Sequence, residues 1–186
     1  MRKKGYDLSL YFFKPDEASE LINLITQVIT NDDSLCYASL VEQAVTAVPN
    51  KFFTGYETLT IRIVDVEEAQ ELNGEFRGIF KPTNVLSFPT DDSEFSIPDH
   101  LGDILICAPL VISEAMVEQG NPADRLVHLT VHGVLHLVGF THDNDFDGSE
   151  MELLEIQILS SLGIENPYHA EGSALANNVS NAATRT

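Results

Sequence analysis

Basic residues are scarce in this chain. Its 186 residues carry 10 Lys and Arg against 29 Asp and Glu, a formal net charge of -19. A protein that holds nucleic acid by neutralising phosphates normally shows a basic footprint. Composition therefore argues against such a partner unless a local patch exists, for which Arg62, Arg77 and Lys81 are the candidates. Cysteine is scarce too. Cys36 and Cys107 do not make a disulfide framework, and Cys107, at the end of an apolar run, reads as packed. Long hydrophobic runs are missing: the longest uncharged stretch, 126–142, is too short and too rich in histidine to span a bilayer. The basic start Met1-Arg2-Lys3-Lys4 is followed by a brief apolar run broken by Asp7, Lys14 and Pro15, a poor match to a signal peptide. A reduced cytoplasm is the expected compartment, with no membrane association and no organic cofactor. There is no internal repeat, and the length fits one domain able to bury a sizeable core.

What is present centres on His132-Gly133-Val134-Leu135-His136-Leu137-Val138-Gly139-Phe140-Thr141-His142. Pro122 starts a helix whose later residues carry no breaker except Gly133. Positions i and i+4 share one helix face, so His132 and His136 aim their rings at one spot. Gly139 accepts the left-handed cap conformation, and a sharp turn there can bring residues 140–142 back toward the same point. Three imidazoles, His132, His136 and His142, with a fourth position left open, describe a catalytic site for one Zn2+ per chain. His128, one turn upstream, reads as a residue behind the ligands or in the core. The spacing equals that of the metalloprotease pattern H-E-x-x-H-x-x-G-x-x-H, except that Gly133 stands in place of the general-base glutamate. The metal-binding half of that motif is present and the proteolytic half is missing.

The segment from His132 to His142 resembles the H-G-x-L-H-L-x-G-[FY]-D-H signature of the bacterial YbeY family of metal-dependent endoribonucleases. Two further stretches are similar to the same family: Phe76-Arg77-Gly78 followed by Lys81-Pro82-Thr83-Asn84-Val85-Leu86-Ser87-Phe88-Pro89, and Leu101-Gly102-Asp103-Ile104-Leu105-Ile106-Cys107. The likeness covers 57–168. Thr141 stands where the family has aspartate, and Ile79 and Phe80 replace a more polar pair. The resemblance implies a single-strand-specific endoribonuclease of ribosomal RNA maturation, processing the 3′ end of the small-subunit 16S RNA and serving ribosome quality control. It implies ribosomal RNA and the small ribosomal subunit or assembly factors as partners. It makes Arg77 a catalytic residue beside His132, His136 and His142, with a planar fork able to reach a phosphate. Lys81, Thr83 and Asn84 can line the same groove. The acidic balance then implies weak intrinsic RNA affinity and a need for protein or ribosomal context. The competing reading is a zincin-like metallohydrolase or metallopeptidase with a relocated base; a non-enzymatic assembly factor with structural zinc is a third.

Taken in order, residues 6–13 alternate as a strand, and 15–29 place Leu21, Leu24, Ile25 and Val28 on one helical stripe. Residues 35–48 read as a helix ended by Pro49, and 57–65 as a β-branched strand. Asp65 is placed to cap a helix to about residue 73, with Arg77-Gly78 opening a loop. Residues 85–88 read as a short strand, 91–100 as an acidic surface loop that includes His100, and 101–107 as a central strand. Pro109 suits the first position of a helix over 109–119. Asp147-Gly148-Ser149-Glu150 has capping-box spacing and opens a helix to about 162, stopped by Gly163. Asp143, Asp145 and Asp147 read as an acidic solvated loop or as partners of the ligands, and His169 as a surface residue. The fold class is α+β. A single catalytic domain over 1–169 is expected, with a small mixed four-stranded sheet, five to six helices and the zinc site at the end of the histidine-bearing helix. Residues 170–186 are an expected disordered tail.

Overall fold

A computed structural model describes residues 22–90, 97–141 and 145–168, with the side chains of 145–149 left out. The elements in chain order are β1 (Asn23–Val28), α1 (Tyr37–Ala47), β2 (Thr58–Val64), α2 (Val66–Arg77), β3 (Val85–Pro89), β4 (His100–Cys107), α3 (Ala108–Val117), α4 (Pro122–Leu137) and α5 (Asp145–Ser161). A 3-10 turn over Asn50–Phe53 follows α1. The four strands form one sheet in the order β1-β2-β4-β3. β1 and β4 run parallel to β2, and β3 runs antiparallel to β4. This is the mixed α+β architecture that the sequence predicts.

Side-chain alternation divides the sheet into two faces. Leu59, Ile61 and Ile63 of β2 and Ile104 and Ile106 of β4 point into the main core, where α1, α4 and α5 pack. Val64, Leu86, Leu105 and Cys107 point the other way, against Ala69 and Leu72 of α2. β4 is therefore buried on both sides, as its unbroken apolar run predicts. The edge strand β3 alternates between the layers: Ser87 Oγ donates to the Gly133 carbonyl of α4 at 3.3 Å, while Phe88 packs on the α2 side.

Four expectations need correction. The helix read over 15–29 is a strand where it is described: Asn23–Val28 pairs in parallel with β2. Its apolar residues suit either period, and the open edge of the buried β2 decides for the strand. Among the described residues of the supposed stripe, only Leu24 packs on the core; Ile25 and Val28 are exposed, and Leu21 lies outside the described residues. The helix expected to end near 73 runs to Arg77, and Asp65 makes no side-chain cap, its carboxylate being taken by Thr30 and Asn31. Gly74 is tolerated inside α2, and the stop comes at Gly78, whose φ of +70° suits glycine. His100 is not a surface residue: it begins β4, is buried, and its Nδ1 lies 2.9 Å from Thr58 Oγ1. Finally, α5 begins at Asp145, so Asp147 lies within its first turn rather than before it. The strand expected over 6–13, the tail over 170–186, Asp143 and His169 lie outside the described residues.

Gly133 positions α4. A Cβ built on it would lie 3.0 Å from Ile104 Cγ2, 3.1 Å from Ile104 Cδ1 and 3.2 Å from Ser87 Oγ. The helix sits this close to the sheet because no side chain intervenes. Gly133→Glu is expected to cost roughly 1–3 kcal/mol through overpacking, plus the cost of desolvating a carboxylate. Denaturant unfolding of parent and variant measures it; equal midpoints would show that the sheet yields freely at this point.

Candidate metal centre

α4 begins by local rule. Asn121 occupies the N-cap, its Oδ1 accepting from Ala123 N at 3.0 Å, and Pro122 follows as the first helical residue. The helix ends at Leu137, and Gly139 then takes a φ of +102°. Gly139 and Phe140 N–H groups donate back to the His136 and Leu135 carbonyls at 3.1 and 3.0 Å. The chain does reverse at the predicted glycine. That reversal places the Phe140 carbonyl 2.9 Å from His136 Nδ1.

His132 is held from the other side. Its Nδ1 lies 2.8 Å from Oε1 of Glu155, a fully buried residue of α5. The second oxygen of Glu155 meets His128 Nε2 at 3.3 Å and accepts a hydrogen bond from the Tyr168 hydroxyl. Burial opposes the charge on Glu155, but hydrogen bonds from His128 and His132, with smaller help from Tyr168, outweigh it and hold the carboxyl at about 2, below its ordinary 4.5. Burial pushes the Tyr168 hydroxyl up, and the neighbouring carboxylate pushes it further, so it remains a donor.

These partners fix the tautomers. A carbonyl only accepts, so His136 Nδ1 carries the proton; an ionised carboxylate only accepts, so His132 Nδ1 does too. In the neutral rings both Nε2 atoms are then lone pairs, and they face each other at 3.0 Å across an edge-to-face ring contact. Two lone pairs at that distance repel unless a cation draws on both. Two nitrogens bound to one tetrahedral zinc at ~2.0–2.1 Å stand about 3.3 Å apart. The donor set therefore fits a divalent ion, which His132 and His136 would hold, with Glu155 and the Phe140 carbonyl orienting the two rings from behind. A second grouping shares this network: one ligand atom each of His128, His132 and Glu155 lie within 4.8 Å of one another. His142 lies outside the described residues.

Among the described residues, none of the other predicted site residues bonds to His132 or His136. Arg77 is exposed at the end of α2, on the opposite layer from α4, and has no hydrogen bond or ion pair with His132 or His136 among the described residues. Arg62 is not available as a basic patch: its guanidinium holds Glu68 at 2.6 and 3.2 Å and Gln27 at 2.8 Å. Asn84 is taken by Glu114, which also pairs with Arg125 at 2.8 Å. Lys81 stays exposed, while its carbonyl accepts from Asn73 Nδ2 at 2.7 Å. Glu155 and Tyr168 were not legible as site residues. For Glu155 a signal exists: it interrupts the buried stripe of Met151, Leu154, Ile158 and Leu159, and a carboxylate on such a stripe requires a partner.

A family model described as Endoribonuclease YbeY matches residues 22–163. The chain belongs to the YbeY family. The match spans every described element from β1 to α5. An Endoribonuclease YbeY of Alteromonas mediterranea is 48% identical over 115 residues, covering 62% of this chain and 73% of that protein. One from Coxiella burnetii is 42% identical over 150 residues, covering 80% of this chain and 99% of its own. A solution structure of the Thermotoga maritima protein TM1509 aligns with a TM-score of 0.49 at 23% identity, over 73% of this chain and 87% of that one. In this YbeY chain the position that a zincin reserves for its glutamate base is filled by helix–sheet packing at Gly133.

Proposed function

We propose that this chain is a metal-dependent endoribonuclease of single-stranded RNA whose ion is held by His132, His136 and His142. The observation that carries this reading is the facing pair of Nε2 atoms at 3.0 Å, each on a ring whose Nδ1 is already committed. Membership of a family named for endoribonuclease activity supplies the bond type. A nitrogen-only ligand set favours zinc. When bound, the ion supplies Lewis-acid polarisation of a phosphoryl oxygen.

The chain's own residues do the rest. Glu155 fixes His132 in the Nδ1–H tautomer and orients its ring, with Nε2 turned toward the ion; the Phe140 carbonyl does the same for His136. Arg77 binds a phosphate of the strand with its fork. β3 is the edge between the α2 and α4 layers, so an RNA strand crossing that edge meets Arg77 on one side and the histidines on the other. With Gly133 packed on the sheet, no side chain at that position serves as a base. The substrate is ribosomal RNA, at the 3′ end of the 16S precursor, and the work extends to ribosome quality control. The small ribosomal subunit or its assembly factors present the RNA in the cytoplasm, offsetting the chain's net charge of -19. No helix among the described residues is long and apolar enough to cross a membrane.

A second reading rests on the group of His128, His132 and Glu155. There Glu155 is itself a ligand, and His136 is not one of the three. The test of the function is one purified sample given labelled single-stranded RNA, labelled duplex RNA and a generic peptide substrate, before and after chelation and zinc return. Cleavage of single-stranded RNA alone, lost with the chelator and regained with zinc, is the expected result. Peptide cleavage in place of RNA cleavage would move the chain to the zincin class.

A further inference from the structure

The turn after α2 leaves three large apolar side chains in solvent: Phe76 at 61% exposure, Ile79 at 52% and Phe80 at 76%. The two rings are not loose. A Cβ on Gly74 would lie 2.5 Å from Phe80 Cδ1 and 2.7 Å from its Cε1, so the ring rests on the bare backbone of α2. Phe76 is seated against Phe88 of β3, with ring centroids 4.8 Å apart. The backbone between them is pinned as well. Gly78 N donates to the Gly74 carbonyl at 3.1 Å, Ile79 N to Asn73 at 3.3 Å, and Lys81 N to Ile79 at 2.8 Å. Each ring is thus held from behind and open in front.

Charge says what such a surface can take. Five Lys and Arg lie among the described residues: Lys51, Arg62, Arg77, Lys81 and Arg125. Arg62 pairs with Glu68, Arg125 pairs with Glu114, and Lys51 stands over the Phe52 ring. Arg77 and Lys81, both exposed, flank the apolar turn. Seated aromatic faces beside two exposed cations suit a single strand, whose bases stack while its phosphates find positive charge. A duplex keeps its base faces inside and gains nothing from stacking here. In a chain this acidic, stacking supplies affinity that salt does not screen.

We propose that Phe80, with Phe76 and Ile79 beside it, is a stacking platform for unpaired RNA bases, with Arg77 and Lys81 on the adjoining phosphates. This rests on the endoribonuclease reading above. The test uses the full, metal-loaded chain and a short fluorescein-labelled 2′-O-methyl oligoadenylate that cannot be cleaved. Phe80→Ala should bind on the order of tenfold more weakly, by the same factor at every salt concentration. Arg77→Ala should instead flatten the salt dependence by about 0.7 in log–log slope. The chain has no tryptophan, so Phe80→Trp adds a single reporter; it should retain binding, with emission quenched by the stacked base. Parental affinity in Phe80→Ala, or unmoved emission in Phe80→Trp at saturation, overturns the platform and leaves the patch to a protein partner. So does a parent that does not bind the oligonucleotide. If that parent still cleaves RNA, the platform alone falls; if it neither binds nor cleaves, the endoribonuclease reading falls with it.

Discussion

His136→Ala is expected to leave purification without metal and without RNA cleavage, while remaining folded. Three imidazoles with one open position are the minimum for a catalytic zinc site, and removing one leaves a pair that water outcompetes. The fold should survive because His136 is only half-buried. The same experiment separates the two metal readings. With the ion between His132 and His136, His128→Ala retains it, and Glu155→Gln retains it with affinity lowered on the order of 10–100-fold, since the amide oxygen can still accept from His132 Nδ1. With the ion among His128, His132 and Glu155, the pattern inverts: His136→Ala keeps its metal and His128→Ala loses it. Metal content by mass spectrometry, beside a cleavage assay on all four proteins, decides. Undiminished metal and cleavage in His136→Ala would remove that residue from the site.

How far these outcomes were foreseeable from sequence depends on how local the determinants are. α4 was legible almost to the residue because its signals are local: a starting Pro122, a reversing Gly139 and histidines one turn apart. β2 and β4 were legible because their β-branched and apolar runs are long enough to exclude a helix. β1 was not, because its six residues suit either period and the deciding fact is the vacant edge of β2, more than thirty residues away in sequence. Glu155 escaped for the same reason. Nothing near it in sequence names His132 as its partner, 23 residues upstream. Arg62 and Asn84 looked available and are not, since both are committed to acidic partners on other elements.

Arg77→Ala should keep metal and fold and lose cleavage on the order of 10²-fold, the scale of losing one positioned donor to transition-state charge. The structural cost is small for stated reasons. Arg77 is exposed at the C-terminus of α2, so the fold loses at most its attraction to the helix dipole, roughly 0.3–1 kcal/mol. Its loss cannot empty the metal site, because it lies on the other layer and bonds to none of the described histidines. An effect on turnover without one on metal content therefore reports on the substrate phosphate. The conservative variant sharpens this. Arg77→Lys keeps the charge but not the two-pronged fork, and should recover only part of the rate. Full recovery by lysine would mean that the position supplies field rather than geometry. Cleavage at the parental rate by Arg77→Ala would take the residue out of the reaction and leave the histidine centre to act on RNA held elsewhere. Initial rates on single-stranded RNA, taken beside metal content and denaturant midpoints for the parent and both variants, separate these outcomes.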